Sequence, residues 1–347
     1  MKEAVIDLRV WRQFVAVAEA LHFGRAAARL HMTQPPLTQA IAGLERTLGT
    51  QLFDRSRRRV ALTPAGEAVL PEARELLARA QLIPGRARAA AAGELGRVRL
   101  AFVSTIGFRE LPRWVRDFRL QCPEVALELV EATGDVQLEA FARGDIDAGL
   151  MLHSPGSAPP GLERLAVQQE ALVLALPASH PLASLDRVPL AAALEEPLVI
   201  FPRRIVPSLH DAVLGLYHAA GRSPRIAQEA IQMQTIVNLV WGGLGIAWVP
   251  ESVTQYQREG IVYRSADEFE GVAEAVRHPR RRAKASAGSA AGPGEAGTST
   301  RPTLPACETS LVWPAERDNP ALQRWTRFVR DDLRAPATAV RPDGPTA

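Results

Sequence analysis

His31-Met32-Thr33-Gln34-Pro35-Pro36-Leu37-Thr38-Gln39-Ala40-Ile41, continued by Leu44-Glu45 and Leu48-Gly49, is the stretch on which the reading of this 347-residue chain turns. Thr33 stands where an N-cap hydroxyl accepts from an unpaired backbone N–H of the first turn. Pro35 and Pro36 fit that turn, because its N–H groups have no helical partner to lose. Leu37, Ile41, Leu44 and Leu48 recur at helical spacing and predict one buried face. Gln34, Thr38 and Gln39 fall off that face and are free to reach base edges or phosphates. The stretch therefore predicts the second helix of a helix-turn-helix, the element that enters a DNA groove.

The flanking sequence agrees. Residues 7–20 place Leu8, Trp11, Phe14, Val15 and Ala18 at the spacing of a first amphipathic helix. A second helix is predicted over Gly24–Leu30, alanine-rich and able to pack closely, with His31-Met32 as the turn. Beyond the quoted stretch, the apolar ends of Gln51–Leu62 flank a basic tip containing Arg55, Arg57, Arg58 and Arg59. Two short strands around such a tip form a β-wing, whose arginines lie along the DNA backbone or in the minor groove. By itself the arginine run reads as a solvated face; beside a recognition helix it reads as phosphate contact. Residues 1–66 carry ten basic against five acidic side chains, a local excess of five positive charges in a chain whose net charge is only +3.

Thr63-Pro64 marks a helix start. The helical pattern then runs to about Ala92 through Ala68, Leu70, Ala73, Leu76, Leu77 and Ala80. Pro71 and Pro84-Gly85 interrupt it, predicting a bend or break near residue 84. A long helix with an apolar stripe and no core of its own finds a partner helix, which points to dimerisation. After Gly93 strands alternate with helices. Strands are predicted at Val98–Val103, Val125–Val130, Asp147–Leu152, Leu172–Leu176, Leu198–Phe201, Ile246–Val249 and Glu308–Trp313. Helices are predicted at Leu111–Leu120, Val136–Phe141, 207–220, 233–241 and around Pro320–Leu333. The alternation predicts an α/β fold of two small lobes with mostly parallel sheets, ligands lying outside the carboxyl ends of strands. Between residues 285 and 300, fifteen of sixteen side chains are Ala, Gly, Ser, Thr or Pro, so 271–303 reads as a flexible insertion and 336–347 as a disordered tail.

Other function classes find little support. Cys122 and Cys307 are too few for a disulfide framework and read as reduced thiols. The chain has no signal-peptide core and no apolar run of membrane-spanning length, so a cytoplasmic protein without a membrane partner is expected. Asp145 and Asp147 read as a turn and a cap rather than metal ligands, and His180 as a loop residue. Gly242, Gly243 and Gly245 precede a strand, so they do not make a dinucleotide fingerprint. No serine or cysteine sits in a nucleophile motif. Neither catalysis nor a cofactor or metal is expected.

Five ordered blocks resemble the LysR-type transcriptional regulators: Phe14–Glu19, Ala26–Leu30, Thr33–Leu37, Leu44-Glu45 with Leu48–Arg55, and Leu62–Gly66. Looser marks agree at Leu111-Pro112, Gly144–Asp147, Ala175–Leu182, Gly242–Ile246 and Val249-Pro250. The resemblance implies a winged helix-turn-helix at 1–66, a dimerising linker helix at 67–93, and at 94–335 an effector domain like a periplasmic binding protein. Its first lobe is expected at about 97–165 with 305–335, its second at about 166–265. It also implies dimers or tetramers on double-stranded promoter DNA, with RNA polymerase as a further candidate partner, and a small, often acidic, effector. Carried over by position, Gln34, Pro35, Thr38 and Gln39 fall where the family touches DNA, with Arg55 and Arg57 in the wing. Thr38-Gln39 departs from the Ser-Arg common in the family and removes one arginine contact. Ser104, Thr105 and Thr133 fall at strand-to-helix turns on the implied cleft, where helix N-termini suit a carboxylate. Phe201-Pro202-Arg203 matches the loop on the second lobe, with Arg203 or Arg204 as an anion partner. The rival readings are an enzyme with a vestigial DNA-binding part and a two-lobed small-acid-binding protein.

Overall fold

α1 (Leu8–Ala20) begins at Asp7, whose carboxylate accepts from the backbone N–H of Arg9 at 2.7 Å. It buries Phe14, Val17 and Ala18 in one cluster with Ala26 and Ala27 of α2 (Phe23–Arg29), where alanines permit close packing. Leu8, expected on the buried face, is 44% exposed and lies on an open groove with Leu30, Met32, Leu77 and Ala80. α3 (Gln34–Leu48) buries Leu37, Ile41 and Leu44. Leu48, expected in the same row, is the last helical residue and is exposed, because the chain turns away at Gly49 with φ +68°.

The structure, a computed structural model, describes residues 5–55, 60–108, 110–270 and 303–335. Arg57 and Arg58, the expected insertion from 271 to 302 and the expected tail at 336–347 lie outside the described residues. Within them, β1 (Phe53–Asp54) pairs antiparallel with β2 (Ala61–Leu62), giving the stem of the expected wing. α3 holds this stem through Glu45, whose carboxylate accepts from the backbone N–H groups of Leu52 and Phe53 at 2.9 and 3.2 Å.

α4 (Pro64–Ala91) starts at Thr63, whose hydroxyl accepts from the Gly66 N–H at 3.1 Å. Of the bend or break predicted near residue 84, the break is absent: one helix of 28 residues runs through both internal prolines. A proline removes one ladder bond and crowds one carbonyl, which bends a helix without ending it. The alanine-rich run after Gly85 favours helix and resumes the ladder. Only Gly66 and Ala73 of α4 are buried, while Leu76, Leu82 and Ile83 remain exposed.

The chain divides into two compact units, 1–89 and 90–347. In the second, β3 (Gly96–Phe102), α5 (Glu110–Gln121), β4 (Val125–Glu131), α6 (Gly134–Arg143) and β5 (Ala148–His153) build a first lobe. β6 (Glu163–Pro177) leads out of it. A second lobe contains β7 (Val188–Pro189), α7 (Leu190–Ala193), β8 (Leu198–Ile200), α8 (Pro207–Ala219), β9 (Ile226–Glu229) and α9 (Met233–Trp241). β10 (Ala247–Pro250), β11 (Ile261–Arg264) and β12 (Phe269–Glu270) complete that lobe, and β13 (Ala306–Trp313) and α10 (Pro320–Arg334) return to the first.

The expectation of mostly parallel sheets holds for the two-stranded sheets β8-β9 and β12-β7, both parallel, and is corrected for the large sheet, which is mixed. In the order β10-β6-β13-β5-β3-β4, with β11 on β6, only β3 with β4 and β3 with β5 are parallel. The chain crosses between lobes on extended strands rather than helices, and these strands fold back antiparallel. β6 pairs with β13 over residues 163–171 and with β10 and β11 over 172–177, so one strand serves both lobes. Trp114, Phe118 and Trp325 centre the first lobe's core, the last two meeting edge-on at 5.0 Å.

Asp147, expected as a turn or cap, is a buried ion-pair hub. Its carboxylate accepts from Arg99 Nε and Nη2 at 3.2 and 3.0 Å and pairs with Arg317 at 2.6 Å. Burial works against its ionisation, but hydrogen bonds from the Arg99 side chain and backbone and from Arg317 outweigh it and hold the carboxyl below its ordinary pKa.

Candidate functional site

The first candidate surface is the start of α3. Thr33 occupies the N-cap position in extended conformation, yet its hydroxyl makes no cap hydrogen bond. The reason is local: an N-cap oxygen accepts from the second or third helical N–H, and those positions are Pro35 and Pro36. Gln34, Pro35, Pro36 and Gln39 are exposed. Thr38 is half-buried, its hydroxyl donating back to the Gln34 carbonyl at 3.1 Å. Arg55 pairs with Glu45 at 3.0 Å and lies over the Phe23 ring at 5.0 Å from its centroid. Among the nominated DNA residues, Arg55 is thus committed to tying the wing to α2 and α3.

The second surface is a cavity between the lobes of the C-terminal unit. The first lobe contributes Val103, Ser104 and Thr105 after β3, Glu131, Ala132 and Thr133 at the end of β4, and Leu152 of β5. The second contributes Phe201 after β8, Ile205 and Val206 before α8, and Ile231, Gln232 and Met233 after β9. The volume is about 30 Å³, enough for at least one ordered water. The lobes are closed onto each other. The Ser154 N–H donates to Ser208 Oγ at 3.0 Å, and Arg204 stands 3.6 Å from Asp135. A Cβ on Gly134 would come within 2.8 Å of the Ile205 carbonyl oxygen, so this approach requires glycine.

Ser104, Thr105, Thr133 and Phe201 are thus brought together, whereas Pro202 and Arg203 are not in the lining. Arg203 makes a two-pronged pair with Asp211, both contacts at 2.7 Å, and that guanidinium holds the Asp211 carboxyl down to about 2. Arg203 is therefore a tie within the second lobe. Thr133 stands at the N-cap of α6, but its hydroxyl donates to Asp135 instead of capping. Thr105 is 3% exposed, and its hydroxyl has no partner among the described residues. Gln232 is the N-cap of α9 and likewise makes no side-chain cap bond. The first-turn N–H groups of α6 and α9, one from each lobe, therefore begin at cavity-lining residues. Glu131 and Gln232 escaped the sequence reading; the available signal was their place at the ends of β4 and β9.

Residues 8–67 match the family described as bacterial regulatory helix-turn-helix protein, lysR family, and residues 91–288 match the LysR substrate binding domain. The HTH-type transcriptional regulator IlvR of Caulobacter vibrioides is 39% identical over 336 residues, covering 95% of this chain and 100% of that protein. The HTH-type transcriptional regulator AlsR of Bacillus subtilis is 37% identical over 271 residues, 78% of this chain and 89% of that one. The crystal structure of full-length CbnR complexed with its target DNA is similar with a TM-score of 0.71 at 30% identity, covering 94% of this chain and 100% of that one.

Proposed function

We propose that this chain, which belongs to the LysR family of DNA-binding transcriptional regulators, reads promoter DNA through the first turns of α3. Gln34, Pro35, Thr38 and Gln39 meet the major groove there, and the wing arginines Arg57 and Arg58 meet phosphates. The observation that carries this reading is the division of α3 into a fully buried face at Leu37 and Ile41 and an exposed, polar first turn. Arg55 supports the wing from within, through Glu45. The exposed apolar residues of α4, Leu76, Leu82 and Ile83, support pairing of two chains along that helix, as a dimer or within a tetramer. Two half-sites then follow, and the operator is an imperfect palindrome.

The protein acts in the cytoplasm without catalysing a reaction, with RNA polymerase as a further partner. No helix among the described residues is long and apolar enough to cross a membrane. A small effector carrying an anionic group enters the interlobe cavity when the lobes part. The N-termini of α6 and α9 and the unpartnered Thr105 hydroxyl support this site. Binding changes the angle between lobes and thereby the spacing of the DNA-binding pairs.

Footprinting of the purified protein on the DNA upstream of its own gene tests the reading. Protection across two half-sites, weakened by Gln34→Ala and falling steeply with salt, is expected. Failure to protect that DNA or to select any sequence from random pools would sink it.

A further inference from the structure

We propose that His153, Ser310 and Glu308 hold a shared proton that ties the closure of the two lobes to pH, whatever enters the cavity between them. His153 ends β5 and stands opposite Glu308 in the antiparallel register of β5 with β13. Its ring is buried, and Ser310 is completely so. Ring Nδ1 lies 2.8 Å from the Ser154 carbonyl oxygen, an atom that only accepts, so Nδ1 carries a proton. Nε2 lies 3.1 Å from Ser310 Oγ, and that oxygen lies 2.9 Å from Glu308 Oε1.

Three contacts need three protons, whereas a neutral imidazole, a hydroxyl and a carboxylate bring only two. If Ser310 donates to Glu308, Nε2 must donate to Ser310, and the ring is an imidazolium. If Ser310 donates to Nε2 instead, Glu308 must be the protonated acid. Either way His153 and Glu308 together carry one proton more than a neutral ring beside a carboxylate. Removing it leaves lone pair facing lone pair inside the fold, the costly case for a buried polar contact. Glu308 is 3.8 Å from Nε2, and Arg164 of β6 stands 4.0 Å from Glu308. The other charged groups on the elements packed against β5 are engaged elsewhere. Arg97 and Arg99 of β3 are held by Glu128 and Asp147. Asp135 and Glu139 of α6 are held by Arg204 and Arg143, and Asp211 of α8 by Arg203 and His210. His218 is exposed in the last turn of α8.

The link reaches the second lobe through one residue. Ser154 accepts from the ring with its carbonyl and donates its N–H across the lobes to Ser208 Oγ of α8 at 3.0 Å. The ring thus braces the residue that makes the interlobe bond. Closure is favoured while the pair keeps its proton, and rising pH, by removing it, loosens the Ser154 bond.

Hydrogen exchange of the Ser154 N–H in the full-length protein, corrected for the intrinsic rate and set against the neighbouring β5 amides, reads that bond directly. Between about pH 5.5 and about pH 8, the span over which histidine ordinarily changes charge, the wild type should lose about fivefold in protection, the equivalent of one hydrogen bond. Glu308→Gln should abolish this dependence and keep the high protection, because its amide donates to Ser310, the hydroxyl donates to Nε2, and no extra proton is needed. His153→Gln should also abolish it, with weak protection at both pH values. Ser154 protection in the wild type that does not change with pH overturns the proposal. So does a Glu308→Gln variant that follows the wild-type dependence, or one with weak protection at both pH values, the result of a merely structural role.

Discussion

α3 and the interlobe cavity both begin at helix N-termini, but they use them in opposite ways. In α3 the prolines at positions 35 and 36 strip the first turn of two donors, so what it exposes is side chains, Gln34 and Gln39 above all. In α6 and α9 the first turns keep every N–H, and it is the side-chain caps that are missing: Thr133 turns to Asp135 and Gln232 makes no cap bond. One surface is suited to reading base edges, the other to holding a charged group on backbone donors. The two also differ in provenance. The candidate residues of α3 span 34–39, whereas the cavity draws on 103–105, 131–133, 152, Phe201 with 205–206, and 231–233. A surface made from one helix survives as long as that helix packs; a cavity made from five segments depends on the whole two-lobed frame.

The largest expected effects test that dependence. Asp147→Asn leaves Arg99 and Arg317 without their carboxylate and should cost the C-terminal unit about 4 kcal/mol, in the range for breaking a buried pair. Five of the six tryptophans lie in that unit, so urea unfolding followed by tryptophan fluorescence reports it. The folded Asp147 carboxyl titrates below its ordinary value of 3.8. Its contribution is therefore complete above that value and fades as pH falls through the lower folded pKa. The wild type should lose stability in this acid window, and the Asn variant should lose less; parallel acid curves would remove Asp147 as the cause. In the other unit, Ile41→Ala at a fully buried position should cost about 3 kcal/mol and weaken operator binding with it. A variant that keeps effector binding while losing the operator sharpens the contrast; joint loss of both breaks it.

A smaller effect is expected at the reading surface itself. Gln39→Ala, exposed and without structural partners among the described residues, should cost about 2 kcal/mol of operator affinity, the scale of one base contact. Its unfolding curve should not move. Equal affinity of the wild type and Gln39→Ala for the operator, measured by fluorescence anisotropy at fixed salt, would transfer recognition to other residues.

How much of this was legible in the sequence follows the same division. α3, its buried leucines and the cap position of Thr33 came from a local period of 3.6, and so did α5, α9 and α10. The strands named in the C-terminal unit fall on β3, β4, β5, β8, β10, β13 and the second half of β6. By contrast, β7, β9, β11 and β12 and all the pairings are not legible, because short strands, register and direction depend on partners far along the chain. β6 is the clearest case: Leu172–Leu176 is apolar enough to be seen, whereas Glu163–Ala171, half-exposed and paired to β13, carries no alternation to betray it. The cavity inherits that difficulty. Ser104, Thr105, Thr133 and Phe201 were reached by resemblance, while Glu131 and Gln232 become visible only when the ends of β4 and β9 are brought together. Arg203 and Asp147 show the converse error: a charge assigned to a ligand or to a cap had a partner eight or more residues away.

The finest effect concerns Thr33, where local sequence pointed to the right place and the wrong bond. A threonine N-cap is ordinarily worth about 1 kcal/mol because it satisfies the second or third N–H of the helix. Here both are proline nitrogens, so Thr33→Ala should cost the N-terminal unit only about 0.3 kcal/mol, a residue of backbone preference alone. In a background carrying Pro35→Ala and Pro36→Ala the donors return, and the same Thr33→Ala change should then cost about 1 kcal/mol. The coupling in this cycle, read from urea midpoints at constant m-value, is the quantity of interest. A full cost for Thr33→Ala in the native sequence would mean that the hydroxyl has another partner and that the prolines are not what silences it. A cost that appears only after their removal identifies the prolines as the reason the Thr33 hydroxyl caps nothing in α3.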